Sequence, residues 1–134
     1  MSKTILAEDY IRANVDKVDW YTLSIQQRFS EEFIEEFADK LHWFTISNKQ
    51  VLSEAFIIKH QDELNWPNIS YKQKLSEDFI RQFQDRVNWQ HISRKQNLSR
   101  AFILEFITKV DKDSLLVNKY VDISTREFLK LLNS

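Results

Sequence analysis

One unit of 23 residues recurs without a gap along most of this chain, and a chain made of short copies buries its core by stacking them. The copies read LAEDYIRANVDKVDWYTLSIQQR at 6–28, FSEEFIEEFADKLHWFTISNKQV at 29–51, LSEAFIIKHQDELNWPNISYKQK at 52–74 and LSEDFIRQFQDRVNWQHISRKQN at 75–97. A fifth opens as LSRAFILEFITKV at 98–110 and then departs from the pattern. An aromatic followed by Ile recurs at Tyr10, Phe33, Phe56, Phe79 and Phe102. The other recurring columns are Asp16, Asp39, Asp62 and Asp85; Trp20, Trp43, Trp66 and Trp89; Ser24, Ser47, Ser70 and Ser93; and Gln27, Gln50, Gln73 and Gln96.

Each copy reads as two helices. Glycine is absent and Pro67 is the sole proline, so tight hairpins and phosphate-cradling loops, which lean on glycine, are disfavoured. Phe33, Ile34, Phe37, Ala38 and Leu41 fall on one face of a 3.6-residue period. Ser30 is placed to cap that helix, worth ~1 kcal/mol, and Glu31 and Glu32 complement the dipole of its first turn. The second half predicts a shorter helix starting near the Trp, capped by Asp19, Asn65 or Asn88, with Pro67 tolerated in the first turn. Trp66, Ile69, Ser70 and Gln73 share its face. Short junctions favour antiparallel neighbours.

The expected fold is therefore all-α, a right-handed α-solenoid of short helix pairs with a C-terminal capping helix. It forms a single domain over 1–134, with units 6–28, 29–51, 52–74, 75–97 and 98–120 and a cap at 121–134. Met1 to Ile5 lead in, and Asp122 or Ser124 caps a last helix through Leu132.

Chemistry-bearing patterns are lacking. The chain has no cysteine, no HExxH and no GxSxG or phosphate-binding loop, so no catalytic, cofactor-binding or metal-binding residue is expected. His42, His60 and His91 occupy three different repeat positions. The Asp column has one carboxylate per copy, which suits a local structural role better than acid–base chemistry. The Trp column is expected in the core, the Gln column to satisfy backbone groups between copies, and the recurring serines to act as caps. With a net charge of −1 there is no global drive towards nucleic acid or membrane, and no apolar run suits a signal peptide or a membrane span. A soluble, cytoplasmic protein is expected.

Function is then sought where the copies differ. Arg12, Glu35, Ile58, Arg81 and Leu104 vary on the first helices; Tyr21, Phe44, Gln90, Ile25, Asn48, Tyr71 and Arg94 vary on the second. Phe44, Tyr71, Arg81, Gln90 and Arg94 are candidates for contacting a partner. Lys49, Lys72 and Lys95 recur one per copy and could form a basic stripe facing phosphates or an acidic protein.

The strings LSEDFIRQFQDRVNWQHISRKQNLS and LSEAFIIKHQDELNWPNISYKQKLS resemble tandem repeats of the LSEEFI…W..IS..Q type found in large DNA viruses and bacteriophages. The resemblance covers about residues 6–110, with Ala7 at the Ser position of the first copy and the Trp lost from the fifth. It implies a viral or phage origin, residence in the host cytoplasm and a protein-binding role, such as inhibition of a host defence factor. It transfers no catalytic residue. The expectation is a non-enzymatic protein-binding module; the alternatives are nucleic-acid binding through the basic stripe, and structural self-assembly.

Overall fold

The computed structural model describes residues 3–132, with side-chain surroundings from Glu8 onward. Met1 and Ser2 of the expected lead-in, Asn133 and Ser134 of the expected cap, and the side chains of Leu6 and Ala7 lie outside the described residues. Among the described residues the fold is all-α, with eleven helices and no strand. They are α1 (Lys3–Ala13), α2 (Trp20–Gln26), α3 (Glu31–Glu36), α4 (Trp43–Lys49), α5 (Glu54–Lys59), α6 (Trp66–Lys72), α7 (Glu77–Gln82), α8 (Trp89–Lys95), α9 (Arg100–Glu105), α10 (Lys112–Leu116) and α11 (Ile123–Leu132). Each copy contributes a helix pair in solenoid-like order. Contacts gather into two compact units, Met1–Asn65 and Trp66–Ser134. In the first, α2 packs on α4; in the second, α6 packs on α8, α8 on α10 and α10 on α11.

The helix lengths keep the expected order in the first copy (α1 eleven residues, α2 seven) and the fifth (α9 six, α10 five) and reverse it in the three copies between. The first helices α3, α5, α7 and α9 have six residues each, and the second helices α2, α4, α6 and α8 have seven. Each first helix stops where Phe37, His60, Phe83 or Phe106 takes φ near −110° and ψ near +28°. A hydrogen-bonded turn follows, with the Lys40 and Leu41 amides both donating to the Phe37 carbonyl at 2.9 and 3.2 Å. That turn keeps Leu41 on the apolar side, so helix and turn together reproduce the spacing of one longer helix. At the N-terminus α1 begins at Lys3, so helix already occupies much of the expected lead-in.

Each Trp lies against the aromatic pair of the following copy. Trp20 sits 6.3 Å from Phe33 and 5.0 Å from Phe37; Trp89 sits 6.3 Å from Phe102 and 5.2 Å from Phe106. Trp43 meets Phe56 and His60 in the same way, and Trp66 meets Phe79 and Phe83. Such pairs add about 0.5–1.5 kcal/mol beyond the area they bury. Trp66 is buried and the other three are half-buried. Tyr10 shares the column of Phe33 yet is 65% exposed.

Within each unit, polar side chains then lock neighbouring copies together. Gln50 is buried, its Nε2 donating to the Ser24 and Gln27 carbonyls at 3.1 and 2.6 Å while its Oε1 accepts from the Phe29 amide at 2.8 Å. Gln96 repeats this on Ser70, Gln73 and Leu75 at 3.0, 2.7 and 3.0 Å. The fifth copy keeps the lock in altered form: Asn118 is buried and donates to the Ser93 and Gln96 carbonyls at 2.8 and 2.9 Å.

Ser30, Ser53, Ser76 and Ser99 cap the first helices as expected, accepting from Phe33, Phe56, Phe79 and Phe102 amides. Within each unit a glutamate of the previous copy holds the cap in turn. Glu31 accepts from the Ser53 amide at 2.6 Å and its hydroxyl at 2.8 Å; Glu8 holds Ser30 and Glu77 holds Ser99 likewise. The Ser24 column is different, and its members are not caps. These serines are buried within the second helices. Ser24 and Ser47 donate to the carbonyl four residues back, and the hydroxyls of Ser47, Ser70 and Ser93 accept the amides of Asn65, Asn88 and Asp111.

The last junction inverts the polarity. Asp122, rather than Ser124, caps α11 by accepting from the Thr125 amide at 2.7 Å. An aspartate accepts where serine donates, and correspondingly the Glu position of the previous copy is Arg100. Its guanidinium lies 3.8 Å from Asp122 and donates to Ser124 and Thr125 hydroxyls at 2.7 and 3.0 Å.

Two stability measurements follow. Gln96→Ala strands an amide and two carbonyls in a buried junction and should cost about 3 kcal/mol in urea unfolding; a loss under about 1 kcal/mol contradicts the interlock. Arg100→Glu alone sets a carboxylate against Asp122 and should cost about 1 kcal/mol, whereas Arg100→Glu with Asp122→Ser recreates the Glu–Ser pair of the earlier copies and should recover it. Additive losses in that double-mutant cycle contradict the polarity rule.

Candidate binding groove

The recurring Gln, Ser and Glu side chains are engaged between copies, and the Asp column is placed differently. Asp16, Asp39, Asp62 and Asp85 are all exposed and one copy apart. Asp85 lies 3.7 Å from Lys109. Among the described residues no group of three or more His, Cys, Asp or Glu could hold a metal ion. Among the same residues no helix is long and apolar enough to cross a membrane.

His60 is the one histidine in the core. It occupies the Phe37 column, stacks on Trp43 at 4.9 Å, meets the Phe56 ring at a tilt at 4.6 Å, and sits between two carboxylates. Its Nε2 lies 2.5 Å from Glu35 and its Nδ1 2.9 Å from Glu63, with Lys59 3.2 Å from Glu35. Burial alone lowers the imidazole pKa, but hydrogen bonds and charge from Glu63 and Glu35 outweigh it and raise the pKa above the ordinary 6.5. Glu35 is held below its ordinary 4.5, chiefly by the hydrogen bond with His60.

His60 therefore contributes stability that is complete below pH 6.5 and is lost as pH rises through its raised value. Glu35 contributes above pH 4.5 and loses its contribution as pH falls through its depressed value. Urea midpoints of the native chain should fall between about pH 6 and about pH 8. His60→Phe, which restores the column's aromatic, should flatten that fall; an unchanged slope in the variant contradicts the assignment.

The varied positions separate into two kinds. Arg81 is already engaged. It lies 2.8 Å from Asp78 and 2.9 Å from Glu105 of the next copy, with its guanidinium over the Phe102 ring. Arg12 makes the same set with Asp9, Glu36 and Phe33, and in Glu35–Lys59 the signs are exchanged. These positions vary in sign but stay complementary to the neighbouring copy. Phe44 on α4 is 61% exposed, and Gln90 on α8 and Lys49 at the end of α4 are also exposed.

The remaining candidates meet in one groove of about 810 Å³ within the second unit. Tyr71 and Lys72 from the end of α6, and Arg94 and Lys95 from the end of α8, line it. Lys74, Lys119 and Tyr120, which sequence reasoning did not single out, complete it from the junctions. Lys119 is offset from the spacing of Lys72 and Lys95 because α10 is short and Asn118 takes the Gln role. Lys95 Nζ stands 4.5 Å and Lys72 Nζ 5.3 Å from the Tyr71 ring centre, and the His91 ring meets Tyr71 edge-on at 5.2 Å. Lys119 Nζ stands 5.1 Å from the Tyr120 ring. A hydrogen bond with Lys95 and its charge, aided by Lys72 and Arg94, hold the Tyr71 phenol pKa below the ordinary tyrosine value. Lys49 belongs to the first unit, so within the second unit the expected stripe consists of Lys72 and Lys95, extended by Lys119.

Comparison with known proteins finds no matching family model, no matching curated protein and no matching solved structure. What the structure does show is a regular helical repeat of about 23 residues.

Proposed function

We propose that this chain is a non-enzymatic repeat scaffold that binds another protein. The observation that carries the reading is the division of labour among side chains. The recurring Gln, Ser, Glu and Trp residues hold copies together, and large side chains at varied positions face solvent. In the first unit these include Tyr21, 54% exposed, Ile25, 40% exposed, and Phe44, 61% exposed, on the packed pair α2 and α4. Exposed aromatic and aliphatic side chains on a rigid helix pair suit the centre of a protein interface. In the form suggested by the viral and phage resemblance, the partner is a host factor and binding inhibits it.

The test is affinity capture with the native chain and with Tyr21→Asp plus Phe44→Asp, both checked for equal melting temperature. The native chain should retain one partner in stoichiometric amount after nuclease treatment, and the variant should lose it. Equal retention by both proteins, or no saturable partner, contradicts the reading.

A further inference from the structure

The near-zero net charge conceals a separation. Residues 1–65 carry seven Lys+Arg against twelve Asp+Glu, whereas residues 66–134 carry twelve against eight. Within the second unit Arg81, Arg100, Lys109 and Lys130 each face a carboxylate at 4 Å or less. Among the described residues Lys72, Lys74, Arg94, Lys95 and Lys119 face no carboxylate at that distance, and all five line the groove. The groove's acid, Glu77, already accepts from the amide and hydroxyl of Ser99 at 2.6 and 3.1 Å.

Gathering five like charges around one carboxylate, Glu77, leaves a net excess of positive charge and mutual repulsion, so the cluster is poised for an external anion. The helix dipole accounts for part of it, since Lys72, Arg94 and Lys95 end α6 and α8. Lys74 and Lys119 lie beyond those helices, and two carbonyls near the end of α6, those of Ser70 and Gln73, are already taken by Gln96.

We infer that this groove, between the ends of α6 and α8 and the junction at Lys119, is a docking site for an acidic, extended protein segment. The inference rests on the protein-binding reading above and gives it a partner chemistry. Charge complementarity supplies the attraction, and the exposed Val117 supplies an apolar contact for a peptide. The tyrosine rings disfavour a nucleic acid. Single-strand binding uses open aromatic faces on which bases stack, and here lysine ammonium groups stand over both Tyr71 and Tyr120.

Fluorescence anisotropy with labelled decaglutamate, and separately with a labelled thymidylate decamer, tests the site at about 50 and 200 mM salt. Decaglutamate should bind saturably, weaken with salt, and lose about tenfold or more in affinity with Lys95→Glu plus Lys119→Glu. Lys49→Glu should leave it unchanged, and the oligonucleotide should bind more weakly. The double variant relieves like-charge repulsion, so its melting temperature should not fall. No saturable decaglutamate binding, binding unaffected by the double variant, or tighter binding of the oligonucleotide would overturn the inference. Partner capture through Tyr21 and Phe44 can succeed while decaglutamate fails, which separates failure of the groove from failure of the scaffold reading.

Discussion

A glutamine amide buried at the junction between copies holds the registry on which the rest of the structure depends. One side chain must donate twice and accept once, and it does so to backbone groups that no helix satisfies. Gln96 takes the Ser70 and Gln73 carbonyls and the Leu75 amide together. Those groups belong to the end of one second helix and the start of the next first helix, so the glutamine sets where the following helix begins. Leaving them bare in the core would cost about 1–3 kcal/mol each. Once that start is fixed, the next Ser falls beneath the preceding Glu and the next Phe pair falls beneath the preceding Trp.

This arrangement explains which parts of the fold could be read from sequence. The repeat, the helix pairs, the Ser30-type caps and the Gln role are all local or recurrent, so the pattern exposes them. Helix length was not legible, because a turn with four-residue hydrogen bonds places Leu41 where another helical turn would. The buried serines were not legible as such, since serine in a short helical unit reads equally as a cap. The role of Glu31 and Glu77 was masked by their position: a first-turn glutamate already suits the helix dipole, which hides its second role on the neighbour's cap, and Glu8 plays that role from the middle of α1.

The candidate site was legible in part. Tyr71, Lys72, Arg94 and Lys95 were visible as deviations or as a stripe. Lys74 and Lys119 become relevant because three successive junctions converge, and Lys119 is offset from the repeat spacing by the shortened fifth copy. Arg81 shows the reverse case. It varies between copies and is half-buried, yet Glu105 of the next copy compensates it. Variation in a repeat protein thus has two sources, a neighbour that changes in step and a surface released from stacking. Lys74, Arg94 and Lys119 belong to the second class and join the recurring Lys72 and Lys95, since among the described residues none of the five faces a carboxylate.

The central claim, that side-chain amides hold the junctions, is tested most directly by hydrogen exchange at the Leu75 amide. Leu75 lies outside any helix, and its N–H donates to the Gln96 side chain. If the interlock is right, this amide exchanges as slowly as the helical amide of Ile80, which donates to the Ser76 carbonyl. Exchange of Leu75 at the rate of an exposed loop amide, with Ile80 still protected, would contradict it.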